Sequence, residues 1–286
     1  MEIDFSLIVA TYGREKEFEK LLYSLSNVNY NLNKIEIIIL NQNDKNDIDL
    51  EKIIKKFPML NINHIYSDKK GSSYNRNLGI KKARGKFIAF PDDDCEYFPE
   101  TLNKVYETFK LTGADLVIGR IIDKFGNNVI RNWPNNPIKV NKRNFYDKYS
   151  AITIFYRKSF INNLFFDEKL GPGNIYGACE DTDLVYRSVK LSEAYYNPEI
   201  EVFHPDTTTK YMSLEKVKSY ALGFGAFVRK NADFWTVFLF IKVIIYHTLH
   251  LIKYFISREE LELRKRRVAI IYRFKGFMSF KLQNNK

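Results

Sequence analysis

The stretch "FSLIVATYGREKEFEKLLYSLSNVNYNLNKIEIIIL", residues 5–40, changes its hydrophobic period twice. "FSLIVA" (5–10) is an apolar run of strand length, "EKEFEKLLYSLSN" (15–27) is amphipathic with helical spacing, and "IEIIIL" (35–40) is apolar over strand length again. Strands without polar alternation are buried on both faces, which implies parallel pairing under covering helices.

The rhythm continues outward. "DLEKIIKKF" reads as a helix, "INHIY" as a short strand, "YNRNLGIKKA" as a third helix and "KFIAF" as the next strand. Beyond residue 113 the pattern loosens. "DLVIGRIID", "NVIRNW" and "SAITIFYR" have strand character around a polar loop at 132–148. A glycine-rich bend, "GPGNIYGAC" (171–179), feeds "EDTDLVYRSVKL", whose acidic start and basic end suit a helix dipole, and strand-like "EIEVFHP" (199–205) follows. From Ser213 onward the chain reads as helices. The expected fold class is α/β, a mostly parallel sheet flanked by helices with a C-terminal helical extension.

At 286 residues and 45% hydrophobic content the chain supports a sizeable core, which excludes disorder as the default. Two cysteines, Cys95 and Cys179, make no disulfide scaffold, and a reducing cytosol is the expected setting. The N-terminus carries acids where a secretory leader has basic residues, so "MEIDFSLIVATYG" reads as a first strand. Of the net charge of +11, +8 lies in residues 234–286.

"KFIAF" runs through Pro91 into Asp92, Asp93 and Asp94. Each extra like charge at about 4 Å costs roughly 1 kcal/mol even in bulk water, so the cluster expects a cation. In open α/β sheets ligands sit beyond the carboxyl ends of the strands, where these acids fall. Carboxylates suit Mg²⁺ or Mn²⁺, whose shells substrate phosphates commonly complete. The plainer alternative is an acidic turn before the helix opened by Pro99 and Glu100.

Four segments, "SLIVATYGR", "GSSYNRNLGIKKARGKFIAFPDDDCEY", "GPG…GACEDTDLVYR" and "VFHP", together resemble family 2 glycosyltransferases, inverting enzymes of the GT-A fold, over roughly residues 4 to 230. The resemblance implies that Thr11, Tyr12 and Arg14 contact base and ribose, and that Asn75 and Arg76 shape the nucleotide pocket. Asp92 and Asp94 fall on the two acids of the D-x-D motif, Asp94 as the metal ligand and Asp92 nearer the ribose or a bound water, with Asp93 between them also on the donor side, while His204 completes the metal or diphosphate site. The same resemblance makes Asp181 the catalytic base, with Glu180 beside it, and the residues themselves place Gly173, in a loop over donor and acceptor, and Trp133 with Glu180 on the acceptor side. A carboxylate that accepts the hydroxyl proton is also what sugar transfer to an alcohol requires. Read without the other motifs, Glu180 and Asp181 are ordinary first-turn helix acids.

Many relatives carry "V-D-D-x-S" after the second strand, whereas this chain has "LNQNDKND". Asn41 or Asn43 offers an amide donor and acceptor to a base edge, and Asp44 is either a substitute acid or a turn residue. Trp133, Tyr146 and Tyr149 suit either acceptor stacking or core packing.

"FWTVFLFIKVIIYHTLHLIKYFI" (234–256) has no uninterrupted apolar run longer than five residues. On a helical wheel Thr236, Lys242, His247, His250 and Lys253 fall within an arc of about 140°, so the helix is expected to lie in a membrane surface. "RKRRVAIIYRFKGF" adds basic charge suited to anionic lipid. A partner-binding or core-packing helix is the competing reading, and nucleic acid is not expected.

The expected division is a transferase domain over 1–212, with its nucleotide-binding part at about 1–95 and its acceptor part at about 96–212, and a basic extension over 213–286. The expected function is inverting transfer from a nucleotide sugar, a UDP-sugar favoured, with Mn²⁺ or Mg²⁺, to a glycan or lipid-linked acceptor. Its expected place is peripheral, at the inner face of the cell membrane, in surface or capsular polysaccharide synthesis. A noncatalytic nucleotide- or carbohydrate-binding module is the alternative, separated by turnover. A nucleotidyltransferase needs a triphosphate loop rich in glycine and basic residues after the first strand, where "ATYGREKEF" has one glycine.

Overall fold

A computed structural model describes residues 2–44, 48–205 and 212–282. They form two compact units. The first holds the described residues of 1–165 and 188–207, the second those of 166–187 and 208–286.

The first unit is built on one sheet. β1 (Phe5–Thr11), β2 (Ile35–Asn41), β3 (Ile62–Tyr66) and β4 (Phe87–Ala89) pair in parallel in the order β3-β2-β1-β4. Every residue of β2 and all but one of β1 are buried, as expected of strands covered on both faces. α1 (Lys16–Ser26) buries Phe18, Leu21, Leu22 and Leu25, the i, i+3, i+4, i+7 stripe of an amphipathic helix. α2 (Leu50–Ile54) and α3 (Ser72–Lys82) make the next crossovers. The register runs from Phe5 beside Ile35 to Thr11 beside Asn41, and Asn41 in turn pairs with Tyr66. Thr11, Asn41 and Tyr66 therefore leave the sheet at one edge. β4 is in register with the start of β1, and the chain turns at Pro91 to deliver the three aspartates beyond the carboxyl end of β4.

Past β4 the sheet is mixed. β5 (Glu96–Tyr97), α4 (Thr101–Thr112), β6 (Leu116–Ile122), β7 (Ile138–Val140), β8 (Ile154–Arg157) and α5 (Lys158–Ile161) are followed, after the bend, by α6 (Glu180–Leu191) and β9 (Ala194–Phe203). β8 runs antiparallel between β4 and β6, β9 lies parallel to β6, and β5 and β7 pair antiparallel with β9. A bulge interrupts β6 at Gly119, where any Cβ would collide with the Ile200 carbonyl. β9 brings His204, just past its end, opposite the segment that follows the aspartates, since Phe203 pairs with Glu96.

Two expectations fail in this unit. "NVIRNW" is not a strand: Asn128 makes a single bridge to Ile122, and Ile130 has φ +69°, which no ladder accommodates. The polar loop at 132–148 instead contains β7, three residues long.

The second unit packs helices. α7 (Leu214–Lys230), capped by the Ser213 side chain, crosses α9 (Glu260–Ser279) with the backbones in direct contact. A Cβ at Gly225 would strike the Arg273 carbonyl, and one at Gly276 the Leu222 carbonyl. α8 (Phe234–Ile256) starts at an Asp233 capping box closed by Thr236. Thr236 and His247, which the helical wheel assigns to a polar face, are buried. His247 Nδ1 lies 3.4 Å from the Arg266 guanidinium of α9. The polar arc therefore divides between the protein side and its flank, and the outward face is apolar: Phe234, Phe238, Ile241, Ile245, Leu249, Ile252 and Ile256 are all exposed, Leu249 at 61%.

Candidate active site

The carboxyl edge of the parallel strands gathers residues from four parts of the chain. Arg14 Nη1 lies 2.8 Å from Asp93 Oδ1 and also contacts Asp94 Oδ2, so one guanidinium bridges two of the three acids. Arg76, nearly buried on α3, donates to Asp92 Oδ1 at 2.8 Å. His204 Nε2 stands 3.5 Å from Asp94 Oδ1, and its Nδ1 faces the Pro205 carbonyl at 2.7 Å. The cation expected from the charge repulsion is thus supplied in part by the protein.

The electrostatics differ along the triplet. Burial pushes the Asp93 carboxyl up to about 6, reinforced by Asp92 and Asp94 and opposed by Thr11 and Arg14. Burial acts on Asp94 in the same sense, yet His204 and Arg14 outweigh it and hold Asp94 below the usual carboxylate value. Asp94 in turn raises His204 against the effect of its own burial.

The nucleotide-side residues form a connected frame. Thr11 is buried at the end of β1, and Tyr12 beside it is 53% exposed, with the Lys70 ammonium 4.5 Å from its ring centre. Asn41 is fully buried. Its Oδ1 accepts from the Asn43 backbone N–H and side-chain amide, and its Nδ2 lies 3.2 Å from His64 Nε2. Asn43 Oδ1 accepts from the Gly13 N–H at 2.7 Å. Asn75, also fully buried, donates to the carbonyls of Lys69 and Gly71, bracing the entry to α3. Asn41 and Asn75 therefore hold the loops that border the edge. Asp44 is exposed. Gln42 accepts from the Gly71 N–H at 2.8 Å and belongs to the same frame, although sequence reasoning did not single it out. Its place one residue past β2 was the available signal.

Trp133 is buried, donates from Nε1 to the Val129 carbonyl and carries Arg131 over its ring, while Tyr149 is buried and stacks with Phe145. Cys95 is fully buried, and burial, with the nearby Asp92 and Asp94, pushes its thiol well up, as for an inert core cysteine.

In the second unit, Glu180 and Asp181 occupy the first turn of α6, Glu180 buried and Asp181 half-buried. Asp181 Oδ1 accepts from the Thr182 N–H at 2.7 Å. Cys179, immediately before the helix, has φ +69°, a conformation costing a non-glycine residue on the order of 1–2 kcal/mol. α7 lies against this turn because Gly223 has no Cβ; one there would sit 2.5 Å from the Ala178 carbonyl oxygen. Gly173 in the preceding bend is exposed, with φ +88°.

Among the described residues no group of three or more His, Cys, Asp and Glu is placed to hold a metal ion unaided. Asp94 with His204 supplies two donors, one carboxylate and one imidazole nitrogen. That set fits Mg²⁺ or Mn²⁺ where substrate phosphates complete the shell.

The chain matches the model of the family described as "Glycosyl transferase family 2" over residues 6–171. It is 27% identical to the minor teichoic acid biosynthesis protein GgaB of Bacillus subtilis over 203 residues, 67% of this chain and 22% of that one. It is 27% identical over 119 residues to the glycosyltransferase AglE of Haloferax volcanii, 41% of this chain and 38% of AglE. The chain thus spans well under half the length of these relatives. Among solved structures it resembles Staphylococcus aureus TarS 1–349, with TM-score 0.64 and 18% identity over 95% of this chain and 91% of that one. It also resembles the mannosyltransferase PcManGT of Pyrobaculum calidifontis in complex with GDP-Man and Mn²⁺, with TM-score 0.62 and 12% identity over 99% and 77%. These likenesses establish the GT-A type of fold expected from the motifs.

Proposed function

Because the chain belongs to glycosyl transferase family 2, we propose that it moves a sugar from a nucleoside diphosphate carrier to a hydroxyl of a glycan or lipid-linked acceptor, inverting the anomeric carbon, during cell-surface polysaccharide synthesis. The convergence of Arg14, Arg76 and His204 on Asp92–Asp94 at the carboxyl edge carries this reading. A UDP-sugar is the favoured donor, in keeping with a TarS structure solved with UDP-GlcNAc.

Tyr12 offers an exposed ring to the base with Lys70 beside it, and Lys70 together with Arg14, which sits on Asp93 and Asp94, supplies cations for the donor's phosphates. Asp94 and His204 would hold Mn²⁺ or Mg²⁺, which when bound neutralises charge growing on the departing diphosphate. Asp181 accepts the proton of the acceptor hydroxyl as its oxygen bonds to the anomeric carbon, and the bond from that carbon to phosphate breaks with its electron pair leaving on the diphosphate. Glu180 and Gly173 are assigned to the acceptor side. The buried setting of Trp133 favours a packing role over direct stacking. We take 1–212 as the transferase domain and 213–286 as the extension, with 166–187 packed among the extension's helices.

The extension is proposed to seat the enzyme on the inner face of the cell membrane. α8 is 23 residues long and apolar enough, by length and composition, to cross a bilayer. In-plane seating is favoured because its inner face packs on α9 while Lys242 and Lys253 are exposed at the flank of the apolar stripe. Arg264, Arg267 and Lys275 of α9 are exposed as well. Such a helix floats with phosphatidylglycerol vesicles and is released by alkaline carbonate, whereas a spanning helix resists extraction.

The decisive experiment measures release of nucleoside diphosphate from a panel of nucleotide sugars, with and without Mn²⁺, for the wild type and Asp181→Asn. Transfer is expected to vanish in the variant while UDP binding persists. Full activity in Asp181→Asn would remove the proposed base.

A further inference from the structure

Asp183, two residues past the proposed base, is fully buried, and neither of its oxygens faces water. Oδ2 accepts from Arg187 Nε at 2.9 Å, pairs with Arg187 Nη2 at 2.8 Å and receives Lys230 Nζ at 2.9 Å. Oδ1 accepts from Asn231 Nδ2 at 2.8 Å. Lys230 also reaches Asp167 at 2.8 Å. One turn further along α6, the Tyr186 hydroxyl lies 2.7 Å from both oxygens of Asp233. Asp233 is the residue whose side chain caps α8, accepting from the N–H groups of Trp235 and Thr236 at 3.0 and 3.1 Å. Two successive turns of α6 are therefore joined to the α7–α8 corner, Asp183 to its first half and Tyr186 to its second.

The same corner starts the helix that exposes the apolar face. The backbone of the bend packs on α7 at Gly223, and the Cys179 carbonyl accepts from the Asp183 N–H at 2.9 Å. The strained Cys179 turn, the first turn of α6 and the root of α8 are thus one connected piece. A buried carboxylate whose oxygens are both paired makes a stiff joint, because separating it from its partners leaves a charge without water or partner.

We propose that Asp183 and Tyr186 are positioning residues that tie the setting of Asp181 to the seating of α8, so that contact of α8 with an anionic bilayer orders the first turn of α6. This rests on the proposed base and the proposed membrane face. The expected consequence is transfer that is faster on the bilayer than in solution, through kcat and not through donor affinity.

The test uses the full chain, the wild type beside Tyr186→Phe and Asp183→Asn, with phosphatidylcholine vesicles that do or do not contain phosphatidylglycerol. Tyr186→Phe removes only the hydroxyl and is the variant least prone to misfold. Hydrogen exchange is followed on the peptide spanning residues 178–184, with vesicle flotation in parallel. In the wild type, phosphatidylglycerol vesicles should slow exchange there several-fold and raise kcat for diphosphate release with the donor KM unchanged. Tyr186→Phe should float equally well and bind UDP equally well, yet lose both responses. A variant that floats and still shows the full slowing overturns the coupling and leaves the membrane face standing. A wild type that does not float removes the membrane face and the coupling with it.

Discussion

The molecule carries two acid clusters, one at the sheet edge and one in the helical unit, that differ in how they are neutralised. At the sheet edge, Asp93 and Asp94 are held by Arg14, whose side chain is 43% exposed, and by His204, a group able to give up its proton. In the helical unit, Asp183 has no exposure and is surrounded by Arg187, Lys230 and Asn231, every bond within 3 Å. Partners of the first kind can leave when a ligand arrives, and those of the second cannot. An acid kept for binding thus has replaceable partners, whereas one kept for architecture has its lone pairs filled by permanent ones.

The strongest way to break this contrast is to remove the locked acid. Asp183→Ala removes the buried counter-charge that Arg187 and Lys230 share, leaving Asp167 to hold Lys230, and should cost about 3–4 kcal/mol of unfolding free energy by urea denaturation. A loss below about 1 kcal/mol would show that the cluster is not the lock described. Asp94→Ala should behave in the opposite way. It is expected to lower diphosphate release by roughly 10²- to 10³-fold, equivalent to about 3–4 kcal/mol of transition-state stabilisation, while stability stays within about 1 kcal/mol. Retention of wild-type rate and metal response would refute the metal-ligand assignment.

A smaller effect tests the seat of α8. Burial, then the charges of Arg273 and Arg266 on α9 and of His250, depress His247 to about 3, so the folded chain keeps it neutral. The unfolded chain takes up a proton near pH 6.5, which means the folded state binds fewer protons between those values and stability falls as pH falls. At pH 5 the loss from this group should reach about 2 kcal/mol relative to pH 7. His247→Gln should remove that part of the acid sensitivity in parallel urea titrations. An unchanged pH slope would mean that His247 becomes charged without disturbing α8.

The two clusters also differ in how legible they were. The β-α-β rhythm located β1, α1, β2, α3 and β4 because strands covered on both faces leave unbroken apolar runs, and "EDTDLVYRSVKL" coincides with α6 because its charges follow the dipole. The three aspartates announced themselves as a crowded like-charge run at a strand end. Asp183 did not, since Lys230 and Asn231 lie 47 and 48 residues downstream and no local pattern records the pairing. β5 and β7, two and three residues long, owe their existence to β9, and residues of that number carry no period. On α8 the wheel separated polar from apolar residues correctly, but it could not tell which side would meet α9. Burial of Thr236 and His247 was decided by packing partners rather than by the helix itself.

The smallest expected change sharpens the contrast most, because it asks whether the edge cluster is held loosely. Arg14→Gln removes a guanidinium that bridges two carboxylates, and on contact geometry alone it should be as damaging as losing Lys230. Its partial exposure argues otherwise: half-solvated ion pairs contribute little, typically below about 1 kcal/mol, and without Arg14 the raised Asp93 carboxyl can relieve the repulsion by taking up a proton. Stability should therefore shift by less than about 1 kcal/mol, while UDP affinity falls about tenfold, the worth of one charged hydrogen bond to phosphate. Lys230→Gln, by the same reasoning, should cost several times more stability and leave UDP affinity unchanged. Equal destabilisation by the two substitutions would erase the distinction between exchangeable and permanent partners on which the assignment of the binding edge depends.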